Sequence, residues 1–294
     1  MKALLLSLLA VAAVSVGGAG STAATIPTCL GESATKIGTP GDDVITATDD
    51  DDVIVGLGGN DTISGGGGFD LICGGDGNDT IVQSSGGLFG AAIIAGDAGD
   101  DTIQAGRDTI VAADYEESPA AVNVDLTAGK ATGDGSDTLL NVDFAYGSAF
   151  DDTLIGNNSE NVLAGYGGND MITALGGADL IGTESGNDTV DGGKGRDEIY
   201  FGDSPKGVHV RLAKGTATGD GNDLLKSIED VTGSKHADVI VGDSAPNRFD
   251  AGPGNDKLYG LGGRDKLLGR TGKDFADGGP GRDVCGAEKT VHCP

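Results

Sequence analysis

Between Gly38 and Val82 a large apolar residue returns once in every nine positions, at Ile45, Ile54, Ile63, Ile72 and Ile81, and the stretches between are mostly glycine and polar. Written in nines the segment reads GTPGDDVIT, ATDDDDVIV, GLGGNDTIS, GGGGFDLIC and GGDGNDTIV, without a gap. A fixed short period of this kind is the signature of a stacked repeat. It predicts a unit of six turn residues and three strand residues with the eighth side chain inside. Two units complete one coil, so units two apart stack. A three-residue strand is too short to be stable alone, and the parallel ladder to the neighbouring coils must support it. The fold class expected is all-β, a parallel β-roll or β-helix solenoid.

The pattern continues beyond Val82 after a short interruption, as GLFGAAIIA and GDAGDDTIQ, with AGRDTIV following. On a larger scale residues 118–200 align without a gap to 204–286 at an offset of 86, most plainly in AVNVDLTAGKATGDGSD against GVHVRLAKGTATGDGND. Each copy then enters six nonapeptides, at 147–200 and 233–286. The organisation expected is an N-terminal cap at 25–37, repeat blocks at 38–111, 147–200 and 233–286, wider coils at 112–146 and 201–232, and a C-terminal cap at 287–294. Alternation at Val122, Val124 and Leu126, and at Val208, Val210 and Leu212, marks strands with one face inward inside the wider coils. These coils are expected to be longer, metal-free turns of the same solenoid, being too short to bury a core of their own.

The sixth position of the unit carries the chemistry. It is aspartate at Asp43, Asp52, Asp61, Asp70, Asp79 and Asp101, with Ala92 in that place once. The later blocks supply Asp152, Asp170, Asp179, Asp188 and Asp197, then Asp238, Asp256, Asp265, Asp274 and Asp283. Asparagine stands there at Asn161 and Asn247, the same place in both copies, and offers a carbonyl oxygen without charge. Stacking brings these carboxylates together, which is unfavourable unless a cation lies between them. Ca²⁺ takes six to eight oxygen ligands, and glycine lets main-chain carbonyls approach. The chain resembles the RTX (repeats-in-toxin) calcium-binding family, whose unit is GGxGxDxUx with U a large apolar residue, in GGDGNDTIV and GGKGRDEIY above all. The resemblance implies several Ca²⁺ ions between adjacent turns, held by turn carbonyls and by the sixth-position aspartates named above. It implies no further cofactor, and no segment remains that is large enough for a separate catalytic domain.

Composition sharpens this reading. The chain has 294 residues with 55 glycines, no tryptophan and 4% aromatics, too few large apolar residues for an ordinary globular core, and collagen is excluded by eight prolines and the absence of a third-position glycine period. The net charge is −27, which repels nucleic acid and anionic membrane surfaces and invites cations. Residues 1–24 combine Lys2, an apolar run from Ala3 to Val16 and a small-residue tail, the features of a secretory signal peptide with cleavage near Ala24. An exported, extracellular protein without membrane insertion follows as the expectation. Four cysteines fit an oxidising setting and allow three pairings. Cys29 with Cys73 and Cys285 with Cys293 is favoured, each pair fastening one end, over a zinc site that would want CxxC spacing.

No enzyme is expected. The three histidines, His209, His236 and His292, have no nucleophile partner in a recognisable motif, and His209 is expected to face solvent. The alternative is a calcium-dependent polysaccharide lyase or epimerase-like activity on the solenoid surface, with Arg211, Lys214 and Tyr200 as candidates. The Asn-Asp-Thr triplets at Asn60, Asn78 and Asn187 match a glycosylation acceptor formally but lie inside the turns. The function expected is calcium-dependent structure or adhesion at the cell exterior, towards a surface or matrix polysaccharide.

Overall fold

A computed structural model describes residues 26–85 and 90–293. The signal peptide expected at 1–24 lies outside these residues. The chain forms two compact units, one running to Glu117 and including Ala128–Phe144, the other made of Ser118–Thr127 and the residues from Ala145 on. Both are parallel β-solenoids, and no α-helix occurs among the described residues. Among these residues no helix is long and apolar enough to cross a membrane.

In the first unit one sheet stacks Lys36–Ile37, Val53–Val55, Gly68–Cys73, Gly90–Ala95 and Thr109–Asp114. The opposite sheet stacks Val44–Thr46, Thr62–Gly66, Thr80–Gln83, Thr102–Ala105 and Ser136–Leu140. Register follows the nonapeptide: Ile45 lies beside Ile63, Ile63 beside Ile81, Ile81 beside Ile103. Eighth-position side chains are the core, since Ile54, Ile63, Ile72, Ile81 and Ile103 are all fully buried while Thr62 and Thr80 beside them are exposed. Six intervening residues reverse the chain, so that successive strands fall in opposite sheets.

The second unit repeats this plan. One sheet runs through Val162–Ala164, Leu180–Gly182, Glu198–Tyr200, Asp230–Thr232, Arg248–Asp250, Lys266–Leu268 and Val284–Gly286, all parallel. The other begins with Asn123–Asp125, Thr153–Ile155, Met171–Thr173, Thr189–Asp191 and Asn222–Lys226, again parallel. It then departs from the expected simple wide coil. Thr216–Thr218 pairs antiparallel with Asn222–Lys226, and His209–Arg211 antiparallel with Thr216–Thr218, before Val239–Val241 resumes the parallel ladder. The 201–232 segment thus places a three-stranded meander in one sheet and adds a single strand to the other. In the first unit Lys130–Thr132 pairs antiparallel with Ser136–Leu140 in the same way.

Alternation in these segments has the expected face. Val122, Val124, Leu126, Val208 and Val210 are buried. Leu212 is the exception: it opens a single 3-10 turn, Leu212–Lys214, that ends on Gly215 at φ 63°, and its side chain is only half-buried. His209 is likewise half-buried and accepts a hydrogen bond on Nε2 from Arg211 Nε at 2.9 Å. Disulfides join Cys29 to Cys73 and Cys285 to Cys293, with Cα separations of 5.6 and 5.9 Å, the pairing expected for the two ends.

Candidate metal centre

Every sixth-position aspartate except Asp43 and Asp52 of the first coil has one oxygen committed to the stack. Asp61 Oδ1 accepts the N–H of Asp43 at 2.8 Å, Asp79 Oδ1 that of Asp61 at 2.7 Å, Asp170 Oδ1 that of Asp152 at 2.8 Å and Asp274 Oδ1 that of Asp256 at 3.0 Å. Each bond reaches back one coil. The fifth position builds a second, exposed row in the opposite direction: Asn60 Oδ1 accepts from Asn78 N–H, Asn78 Oδ1 from Asp100 N–H, and Asn169 Oδ1 from Asn187 N–H. The asparagines of the glycosylation-like triplets therefore belong to this ladder.

The second oxygen separates the turns into two kinds. In eleven of them Oδ2 is buried with no hydrogen-bond partner: Asp61, Asp79, Asp101, Asp170, Asp179, Asp188, Asp197, Asp256, Asp265, Asp274 and Asp283. In the same eleven the second residue of the unit is left-handed: Leu57, Gly75, Asp97, Tyr166, Leu175, Glu184, Gly193, Gly252, Leu261, Arg270 and Gly279, at φ between 53° and 105°. We call these open turns. Seven of those second residues are not glycine, and left-handed backbone costs them roughly 1–2 kcal/mol each. A buried polar atom without a partner costs a further ~1–3 kcal/mol. Two costs concentrated at one place mark a site that something else completes.

Six further turns of the three blocks are closed by their own second residue. At Thr39, Thr48, Ser148 and Ser234 the second-position N–H donates to Oδ2 of Asp43, Asp52, Asp152 and Asp238 at 2.5 to 2.9 Å. Their hydroxyls donate to the same carboxylates at 2.7 to 2.8 Å. Asn161 and Asn247 sit in two further closed turns, where Oδ1 accepts the N–H of Asn157 and of Asp243. In all six the second-position side chain also accepts the fourth-position N–H, as from His236 N–H to Ser234 Oγ at 3.0 Å, the local turn that Ser, Thr, Asn and Asp favour. All eleven open turns have glycine at the fourth position, whereas of the six closed turns only that of Thr39 does, at Gly41. At Gly77, for example, a Cβ would collide with the carbonyl of Gly59 one coil back.

What faces the unpartnered oxygens is carbonyl oxygen. Above Gly56, a Cβ would meet both Asp61 Oδ2 and the Gly74 carbonyl; above Gly74 it would meet Asp79 Oδ2 and, at 2.8 Å, the Gly96 carbonyl; above Gly260, Asp265 Oδ2 and, at 2.8 Å, the Gly278 carbonyl. At these three turns a carboxylate oxygen of one coil and a main-chain oxygen of the next thus converge; the same convergence lies over Gly38 and Gly233 of closed turns, where the Thr39 and Ser234 donors already occupy Oδ2. Among the described residues no three His, Cys, Asp or Glu side chains converge to hold a metal. An open turn therefore offers one carboxylate oxygen with main-chain carbonyls, a hard oxygen set that fits Ca²⁺ and not Zn²⁺.

Burial pushes Asp101 and Asp170 up to about 8, and Asp179, Asp188 and Asp256 up to about 7, against the backbone N–H each accepts and with neighbouring carboxylates adding to the rise. Burial also raises Asp52, but the Thr48 N–H and hydroxyl, the Thr35 hydroxyl and the Lys36 ammonium outweigh it and hold Asp52 below the usual carboxylate range. Burial leaves Asp238 raised despite its Ser234 bonds.

Two ladder residues escaped the sequence reading. Asp101 N–H donates to Asp137 Oδ1 at 3.0 Å and Asp188 N–H to Asp223 Oδ1 at 3.2 Å, so the wider coils continue the aspartate row. The signal was present as GDGSD at 133–137 and GDGND at 219–223, which are positions two to six of the nonapeptide. Glu229 and Glu288 extend the row further, accepting from Asp197 and Asp274 N–H. Of the candidates for catalysis, Tyr200 belongs to one sheet, while Arg211 and Lys214 belong to the other and to the turn that follows it.

A search of curated proteins returns no match. The family model for the RTX calcium-binding nonapeptide repeat matches at residues 37–72, 46–81, 86–112, 146–181, 176–203, 232–267 and 250–285, well over half of the chain. With that match on the stacked nonapeptides, their aspartate rows and their carbonyl-lined turns, the chain belongs to the RTX calcium-binding repeat family.

Proposed function

We propose that this calcium-binding β-roll acts outside the cell as a structural or adhesive element whose folded state is set by external Ca²⁺. The observation that carries the reading is the coincidence of eleven unpartnered Oδ2 atoms with eleven left-handed second residues. The metal-free turns carry both costs, and bound Ca²⁺ supplies a positive charge that offsets the buried carboxylates. If free Ca²⁺ exceeds a site's dissociation constant tenfold, that site adds roughly 1.4 kcal/mol to the folded state. Several sites together are comparable with the ~5–15 kcal/mol of an ordinary domain. The partner we propose is a surface or matrix polysaccharide.

Circular dichroism of the chain lacking residues 1–24, first in chelator and then in excess Ca²⁺, tests the calcium part. The expected result is strand signal that appears with the metal; equal signal in both solutions would reject it. A glycan-array screen of the calcium-loaded protein tests the adhesive part, and absence of binding to every acidic and neutral polysaccharide on the array would reject that.

A further inference from the structure

The nonapeptides supply sixteen sixth-position aspartates, and five of them have protein donors on the second oxygen. Asp43, Asp52, Asp152 and Asp238 are closed by Thr or Ser at position two. Asp70 is the fifth and differs from the others. Its unit has the open form, with Gly66 left-handed at φ 84°, yet its Oδ2 accepts Gln83 Nε2 at 2.8 Å. Both side chains are fully buried, and the amide nitrogen also lies 3.3 Å from the Gly66 carbonyl and 3.5 Å from the Ser84 carbonyl. Ser84 Oγ donates to the same Gly66 carbonyl at 3.0 Å. Three acceptor oxygens around one –NH₂ fix the orientation of the amide, because turning it over would put Oε1 against all of them. As placed, Oε1 has no partner, and it stands over Gly65, where a Cβ would collide with it. Over the first glycine of other units, Gly56, Gly74 and Gly260 in open turns and Gly38 and Gly233 in closed ones, carboxylate and carbonyl oxygens converge on the same place.

We propose that Gln83 occupies the Asp70 turn in place of a metal ion, and that the Ser and Thr turns are closed to metal in the same sense, so that calcium is confined to the eleven open turns. This rests on the calcium reading above. Gln83 lies in the interruption between two nonapeptides, outside the repeat, which suits a residue supplied for one turn only. The two asparagine substitutions conform to the same division. Asn161 and Asn247 both sit in closed turns, where one carbonyl oxygen is enough, and none of the open turns carries asparagine at that position.

Ion counting on the calcium-saturated, desalted protein, by elemental analysis and calorimetric titration, tests the proposal. Gln83→Glu keeps the shape of the side chain and exchanges the amide donors for a second carboxylate beside Asp70. One additional Ca²⁺ per chain is expected, with loss of strand signal in chelator at least as great as in the parent. Gln83→Met fills the same space without a ligand and should keep the parental count; a rise equal to that of the Glu variant would assign the effect to packing and overturn the proposal. Because Gln83→Glu adds a buried charge and can fail to fold, Ser148→Gly with Phe150→Gly gives a second reading, turning GSAFDD into the open GGAGDD, again with one more ion expected. An unchanged ion count in a folded Gln83→Glu protein, or in the double variant, overturns the proposal. Binding of no Ca²⁺ by the parent would instead reject the calcium reading itself.

Discussion

The first coil of each repeat block and the coils that follow it share a sequence period, a register and an eighth residue turned inward, yet they satisfy their aspartates differently. Block one opens with the closed turns of Thr39 and Thr48, block two with those of Ser148 and Asn157, block three with those of Ser234 and Asp243. From the second coil on, every sixth-position aspartate but Asp70 leaves Oδ2 unpartnered. A block thus starts on a coil whose turns hold themselves and continues with coils whose turns leave a buried carboxylate oxygen unpartnered. The difference teaches that the nonapeptide is one backbone plan with two ways of completing it, chosen by the second and fourth residues.

The largest expected effect does not discriminate, and serves as the control for those that do. Leu154→Ala under a closed turn and Ile172→Ala under an open one both remove a fully buried side chain and should each cost about 2–5 kcal/mol in calcium, by denaturant unfolding. Unequal losses would mean that the cores, and not only the turns, differ. The sharper contrast lies between Asp170→Asn and Asp152→Asn. Asp170→Asn should remove one bound Ca²⁺ and cost about 1–3 kcal/mol in calcium, because it discharges the only side-chain ligand the turn offers. Asp152→Asn should keep the ion count and cost ~1 kcal/mol in calcium, since it weakens the bonds from Ser148 and from the Val122 N–H without touching an ion. Equal behaviour of the two would break the comparison.

Acidity should separate the two kinds of turn as well. Asp101 and Asp170 have folded values of about 8, above those of an unfolded carboxyl, so between about pH 4 and pH 8 the metal-free folded state holds protons that the unfolded chain has released. Their contribution therefore declines as pH rises through that window, and any residual strand signal in chelator should be smaller at pH 8 than at pH 5. Asp52, with its lowered value, contributes in the other direction: its contribution is present above the unfolded carboxyl value and is lost only as pH falls through the folded one. Strand signal in chelator that grows from pH 5 to pH 8 would contradict the assignment. The smallest effect is backbone relief. Leu57→Gly removes a left-handed leucine at φ 80° and should stabilise by up to ~1 kcal/mol, read as a raised denaturant midpoint.

Much of this was legible in the sequence, because the period of nine fixes which side chain goes inside and which carboxylates stack. Ile54, Ile72, Leu163 and Ile181 lie where the spacing puts them, and Cys29 meets Cys73. What was not legible depends on partners distant in the chain. Alternation in VNVDL and VHVRL tells which face is inward and not which strand lies alongside, so the antiparallel meander at 209–226 was not foreseen. The same alternation drew attention away from GDGSD and GDGND, whose Asp137 and Asp223 stack 36 and 35 residues beyond their partners. The division of the turns was written at positions two and four, next to an aspartate that looks the same in both kinds. No spacing rule brings Gln83 to Asp70, thirteen residues back and in the opposite sheet.

The most direct measurement is a crystal structure of the calcium-saturated protein with ion positions located by anomalous scattering. Peaks are expected beside Asp61, Asp79, Asp170, Asp179 and the other open-turn aspartates, and none at Asp43, Asp52, Asp70, Asp152 or Asp238. Peaks distributed over all sixteen aspartates alike, or absent from the open turns, would contradict the account.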